Sequence, residues 1–314
     1  MVNKNSVYIT IFTPTFNRAY ILERLYNSLK KQINYSFEWL IVDDGSTDNT
    51  QELVANWLKE DLLFPICYYK KENGGKHRAI NFALKRARGD LFFIVDSDDY
   101  LAETAVETII QTYNTLPLKA IKKYVGVAGC KGYYNGNIVG TTFKGDYIDC
   151  LSVEREKYGI SGDKAEVFLT RVLKEYPFPE FEGENFVTEA TVWDRMALDG
   201  YYLRYFNDII YLCEYLEDGL TQQGLDLYYN NPQGYGYYLR QCRKANKFEK
   251  NVQLYYDVEC YFHWKNQRNI KEIADLIGTN PGVLIGQVMI YKLREYGSRC
   301  KKNVLKVMKR GGKV

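Results

Sequence analysis

Gly89-Asp90-Leu91-Phe92-Phe93-Ile94-Val95-Asp96-Ser97-Asp98-Asp99-Tyr100 is the stretch on which the fold turns. Its apolar run, Leu91 to Val95, is mostly aromatic or β-branched and predicts a strand buried on both faces. That strand delivers Asp96, Asp98 and Asp99 to its carboxyl end, the edge at which open α/β sheets bind their ligands. Carboxylates crowded there repel one another unless they share a cation, and hard oxygen ligands suit Mg2+ or Mn2+. The same residues also read as a turn with helix-capping acids before Ala102. Spacing alone leaves both readings open.

Upstream, Val7 to Phe12 predicts a strand that stops at Pro14 and leads into the loop Thr13 to Arg18. Ile21, Leu22, Leu25, Tyr26 and Leu29 recur at helical spacing from Ala19 onward, and Lys30-Lys31 close that helix with favourable charge. A second strand, Phe37 to Val42, runs into Asp43-Asp44-Gly45-Ser46-Thr47-Asp48. There Asp48 is placed to cap a helix that turns Leu53, Val54, Trp57 and Leu58 inward. A third strand, Pro65 to Tyr69, leads to the glycine-rich loop Asn73-Gly74-Gly75-Lys76 and a helix through Ala83, Leu84 and Ala87. Strands separated by such helices predict an α/β fold with a mostly parallel twisted sheet and right-handed crossovers. Every strand end carries a polar loop, so a nucleotide-sized site along that edge follows. The GxGxxG and GxxxxGK[ST] phosphate-binding patterns are absent, which argues against the commonest dehydrogenases and NTPases.

Downstream, Ala105, Val106, Ile109, Ile110 and Tyr113 predict a helix, and Tyr124 to Tyr134 a further strand. Residues 135–175 are glycine-rich and poorly specified by pattern. Thr188 can cap a helix carrying Val192, Trp193, Met196 and Ala197, with Glu189 in its first turn, where the helix dipole favours a carboxylate. From about residue 216 the chain becomes Tyr-rich and helical, approximately over 235–265 and 269–297. Tyr228, Tyr229, Tyr235, Tyr237 and Tyr238 offer packing surface to these helices or stacking faces to a sugar. The expected division is an α/β domain over 1–215 and a helical extension with a basic tail over 216–314.

A chain of 314 residues with 46% hydrophobic content can bury a sizeable core. No run of about eighteen apolar residues and no N-terminal basic-then-apolar pattern is present, so the expected compartment is the cytoplasm. Seven cysteines without a CxxC pair fit reduced thiols. Two histidines, His77 and His263, exclude a histidine-rich metal site. The net charge of +3 conceals an asymmetry: residues 299–314 carry seven cations and no acid, leaving 35 basic against 39 acidic residues elsewhere. The body thus lacks the basic excess needed to hold a nucleic-acid backbone, and no nucleic-acid partner is expected. In the tail, Val304, Leu305, Val307 and Met308 lie among the cations, which suits peripheral contact with an anionic inner membrane face. A solvated terminus is the alternative.

Together, Phe12 to Arg18, Val42 to Asp48, Asn73 to Lys76, Asp96 to Asp99 and the Glu189 segment resemble a family 2 glycosyltransferase of the A-type fold over roughly residues 6–213. The resemblance implies a nucleotide-sugar donor, a divalent cation (Mn2+ or Mg2+), and an inverting transfer to a glycan or lipid-linked saccharide acceptor in surface polysaccharide synthesis. It places Phe16 and the Thr13-Pro14-Thr15 backbone around the base, with Asp44 accepting a hydrogen bond from it, uracil being the usual one. Lys76 and Arg78 then face the phosphates or the base, and Gly75 and Ser97 complete the donor-binding set. Asp96 stands near ribose or metal, Asp98 is the principal metal ligand, and Asp99 adjoins them. Glu189 corresponds to the family's base, usually an aspartate, with Glu184 in reserve. The chain has Ala79-Ile80-Asn81 where the family often has Ala-Arg-Asn. A sugar-nucleotide pyrophosphorylase would need a glycine-rich loop where Pro14-Thr15-Phe16-Asn17 stands. A non-catalytic carbohydrate-binding or scaffold protein would be marked by loss of the carboxylates, yet Asp44, Asp98 and Glu189 are present.

Overall fold

The structure, a computed structural model, describes residues 8–214 and 224–294. It divides into two compact units, Met1–Gly224 and Leu225–Val314. The boundary expected at 215/216 and the basic segment 299–314 lie outside the described residues.

The first unit begins β1 (Ile9–Thr15), α1 (Ala19–Lys30), β2 (Phe37–Asp43), α2 (Thr50–Trp57), β3 (Ile66–Lys70), α3 (Lys76–Leu84) and β4 (Leu91–Ile94). It continues β5 (Tyr100–Leu101), α4 (Ala105–Asn114), β6 (Tyr124–Gly132), β7 (Tyr147–Cys150), β8 (Lys164–Leu169), α5 (Thr170–Leu173), α6 (Ala190–Leu198) and β9 (Tyr202–Leu212). Among the described residues the strands form one sheet in the order β3-β2-β1-β4-β8-β6-β9-β5, with β7 on β9. The first four are parallel, as the alternation of strands and helices predicts. Beyond β4 the sheet is mixed: β8 runs antiparallel to both β4 and β6, whereas β9 is parallel to β6. The stretch 135–175, which pattern left unspecified, therefore supplies β8, wedged between β4 and β6. The strand order reverses between β1 and β4, and such a reversal opens a crevice at the carboxyl edge.

Four local readings are corrected. Pro14 lies inside β1 rather than ending it. Phe12 O accepts from Val95 N on the β4 side, while Thr15 O accepts from Asp44 N on the β2 side. Alternation thus turns Pro14 toward the β4 side, where pairing has already stopped at Phe12 and Ile94, so no ladder bond is lost. In α2, Val54 and Trp57 are buried but Leu58, past the helix end, is exposed. Asp48 accepts from Thr50 N and Ala19 N, tying α2 to α1 instead of capping α2. Thr188 gives no side-chain cap to α6: Glu189 occupies the N-cap, and the Thr188 carbonyl accepts from Thr191 N.

The second unit comprises α7 (Gly224–Tyr229), α8 (Pro232–Lys244), α9 (Lys250–Trp264), α10 (Ile270–Ile277) and α11 (Pro281–Arg294). Each of the two long helices expected here is split. Asn246 in the left-handed region follows α8, and Gly278 at φ 72° ends α10 before Pro281 opens α11. Tyr229, Tyr235, Leu239, Val258, Trp264, Ile273 and Leu284 share a core of their own, and His263 stacks on Tyr229 at 4.2 Å. No single helix among the described residues is long and apolar enough to cross a membrane.

Candidate active site

The loops after β1 and β2 are stapled together at the carboxyl edge. Asn17, with φ 53°, accepts on Oδ1 from Thr47 N at 2.7 Å and donates its own N–H to Ser46 Oγ at 2.9 Å. Thr13 is fully buried and accepts from Trp39 Nε1 at 2.9 Å, so only its backbone can border a ligand. Thr15 is buried with Oγ1 lacking a hydrogen-bond partner, Pro14 is half-buried, and Phe16 is 46% exposed, a free ring face at the rim.

Asp44 is occupied by the chain itself. Its carboxylate accepts from Lys71 Nζ at 2.5 Å, Gly74 N at 3.0 Å and Gly75 N at 2.7 Å. Gly75, at φ 91°, passes so close to the 184–185 backbone that an added Cβ would lie 1.8 Å from Asn185 O. Arg78 turns to the same segment: its guanidinium donates to Gly74 O, Phe181 O and Glu184 O, and its Nε lies 3.4 Å from Glu180 Oε2. It braces the loop that leads to α6. Glu184, within this loop, is buried.

Lys76 opens α3 and bridges two elements. Its Nζ lies 2.5 Å from Asp96 Oδ1, just past β4, and 2.9 Å from Glu189 Oε1 at the head of α6. Burial alone would lower the lysine pKa, but these two carboxylates raise it. Burial likewise pushes Asp96 up, and the Lys76 and Lys131 charges overcome that and hold it below the usual carboxylate range. Asp98 is half-buried and displaced upward, by burial first and by Asp96 next. Ser97, between them, is buried.

Asp99 turns inward. It accepts from Tyr211 OH at 2.6 Å and from Glu214 N at 3.3 Å, and burial with Asp96 beside it pushes its carboxyl up to about 7. The three carboxylates expected at a metal are therefore not gathered around one point, and no cluster of three ligating side chains occurs among the described residues. Asp98 and Asp96 nevertheless suit a hard divalent cation. Among the described residues Asp98 makes no lysine ion pair, and Mg2+-type ions bind through one or two carboxylates with substrate phosphates completing the shell.

Several site residues carried no motif. Glu166 on β8 and Lys131 on β6 border the same charges. Trp193 packs on Phe168 at 4.2 Å, and one helical turn before Trp193 stands Glu189, as two residues before Phe168 stands Glu166. Glu166 is pushed up to about 7 by burial and by the Glu189 charge, against the pull of Arg155 and Lys131. Its only sequence signal was a lone acid within an apolar strand, Lys-Ala-Glu-Val-Phe-Leu. Tyr211 binds both Asp99 and Asp96 N. Arg24 on α1 donates to the Asp98 carbonyl, pairs with Glu214 and lies over the Tyr100 ring at 4.8 Å. It lines a cavity of about 630 Å³ with Tyr20, Asn27, Tyr100 and Glu103.

A parallel β3-β2-β1-β4 half continued by a mixed half, with paired acids after β4 and an acid-led helix facing them, defines an A-type glycosyltransferase fold. Residues 10–134 match the family model described as "Glycosyl transferase family 2". It is 30% identical over 190 residues to the GalNAc(5)-diNAcBac-PP-undecaprenol beta-1,3-glucosyltransferase of Campylobacter jejuni, covering 59% of this chain and 58% of that protein. Staphylococcus aureus TarS 1-349, solved in complex with UDP-GlcNAc, superposes with a TM-score of 0.57 at 19% identity, over 86% of this chain and 84% of that one. The mannosyltransferase PcManGT of Pyrobaculum calidifontis, in complex with GDP-Man and Mn2+, gives 0.53 at 16% identity, over 95% and 81%. At these identities the two structures speak for the fold.

Proposed function

We propose that the chain transfers one sugar from a nucleoside-diphosphate sugar, a UDP-sugar by preference, to a hydroxyl of a glycan or lipid-linked saccharide, inverting the anomeric carbon. The observation that carries this reading is the bridge from Asp96 through Lys76 to Glu189, which sets the acids after β4 across from the acid that leads α6. The UDP-GlcNAc complex of TarS and the undecaprenol-linked acceptor in the Campylobacter relative's name support the choice of substrates.

Asp98, with Asp96, would hold Mn2+ or Mg2+. When bound, that ion supplies positive charge to the departing diphosphate. Lys76 adds a fixed cation beside it. The exposed ring of Phe16 offers a stacking face to the base. Glu189 takes the proton of the acceptor hydroxyl as its oxygen bonds to the anomeric carbon, and the bond to the diphosphate breaks with its electron pair on the phosphate oxygen. The cavity beside Arg24, Tyr20 and Tyr100 offers aromatic and polar groups to an acceptor saccharide. The cytoplasmic face of a membrane is the proposed place of action, with residues 299–314 as a peripheral contact.

Incubation with manganese and a panel of nucleotide sugars, reading nucleoside diphosphate release and protection against melting, tests the reaction class. Selective release from one UDP-sugar is expected. Neither release nor protection with any sugar nucleotide would exclude it.

A further inference from the structure

Helix α11 carries apolar residues on two opposite sides. Leu284 and Val288 enter the second unit's core, and between them Gln287 donates to Asp257 Oδ2 at 2.8 Å. At 100° per residue, Val283, Ile285, Met289, Ile290 and Leu293 fall on the other side, within an arc of about 160° that also holds Gly282 and Gly286. They are 52%, 41%, 60%, 44% and 71% exposed. A helix on the surface of a globular unit ordinarily turns charged and polar residues outward, and this arc contains none. Cations stand at its two borders: Lys292 on one and Arg294 on the other. Lys292 and Lys265 also converge on the Phe262 ring, at 5.9 and 5.2 Å.

We infer that the outward face of α11 docks on the surface of an anionic lipid bilayer. An apolar stripe lying in the headgroup boundary, with long basic side chains reaching from its borders to the phosphates, is the arrangement that holds an interfacial helix. The charges favour lipid over a second copy of the chain. An isologous helix pair would bury the apolar arc but bring the bordering cations of both copies together, with no acid in the arc to offset them. Anionic headgroups pair with them instead. Seven further cations without an acid occur in the sequence at 299–314, on the same side of the charge balance. This inference gives the proposed transfer reaction access to a lipid-linked acceptor, while its physical basis does not depend on that reaction.

The test is co-sedimentation of the full chain with vesicles of phosphatidylcholine, alone or mixed with phosphatidylglycerol. Binding to the mixed vesicles at low salt is expected, and the double substitution Met289→Glu with Leu293→Glu should reduce the bound fraction at least about tenfold although residues 299–314 are intact. Both sites are exposed, so the melting temperature should not change. Three results would overturn the inference: no sedimentation of the parent, equal sedimentation of parent and variant, or a parental dimer that the variant splits without altering lipid binding. Protection against melting by UDP and manganese, measured alongside, reports the transferase reading separately and should be the same in both proteins.

Discussion

Lys76 Nζ lies 2.9 Å from Glu189 Oε1 while it also binds Asp96. The acid assigned to take the acceptor's proton is thus ion-paired to the cation assigned to the donor's phosphates. Donor phosphates that bind Lys76 would compete with Glu189 and Asp96 for the same cation.

Glu189→Gln should bind donor as the parent does but lose transfer by roughly two to four orders of magnitude, the usual worth of a positioned base. Glu184→Gln should retain most transfer, because Glu184 is buried within the loop that Arg78 braces. Initial rates with a fixed donor and acceptor distinguish the two. A dead Glu184→Gln beside an active Glu189→Gln would exchange their roles.

Lys76→Met removes a charge-assisted contact worth about 1.5–3 kcal/mol to a phosphate. UDP affinity should fall roughly 10- to 100-fold. Calorimetric titration reads this directly; undiminished affinity would leave Lys76 as a structural tie between Asp96 and Glu189.

Arg78→Ala and Gly75→Ala should act on stability. The first strands the carbonyls of Phe181 and Glu184 and should cost about 2–4 kcal/mol. The second forces a Cβ into Asn185 O at a positive φ and should cost on the order of 3 kcal/mol. Urea unfolding at neutral pH measures both. A neutral Arg78→Ala with lost UDP binding would return Arg78 to the phosphates.

Glu166 supplies a pH signature. Its carboxyl rises on folding from 4.5 to about 7, so between those values the folded state holds more protons than the unfolded one. Its contribution to stability is full below pH 4.5 and is lost as pH rises through about 7. Buried His77, displaced downward from 6.5 to about 4 by burial and Arg78, works in the opposite sense over much of that window. The informative quantity is therefore the difference between Glu166→Gln and the parent. The variant should gain relative stability as pH rises from 5 toward 8 in urea unfolding, and a flat difference would refute the assignment.

The donor half was legible in the sequence because each of its motifs sits where a parallel strand ends, and parallel strands buried on both faces announce themselves as apolar runs. Phe37 to Val42 and Leu91 to Val95 are of this kind. What was not legible depends on contacts distant in sequence. Nothing near Asp44 says that Gly74 and Gly75, thirty residues on, will saturate its carboxylate, or that Arg78 will reach across to Phe181 and Glu184. Asp99 reads as a third metal ligand until Tyr211 is folded against it. Strands β8 and β9 escaped because mixed pairing gives neither a continuous apolar run nor a crossover helix. Glu166 escaped with them.

The most direct measurement is calorimetric titration of UDP with and without manganese, on the parent and on Asp98→Ala. UDP should bind the parent strongly only when manganese is present, and Asp98→Ala should lose that dependence with its melting temperature intact. Equal manganese-dependent binding by the two proteins would contradict the assignment of the Asp96–Asp98 edge as the place where donor and cation meet.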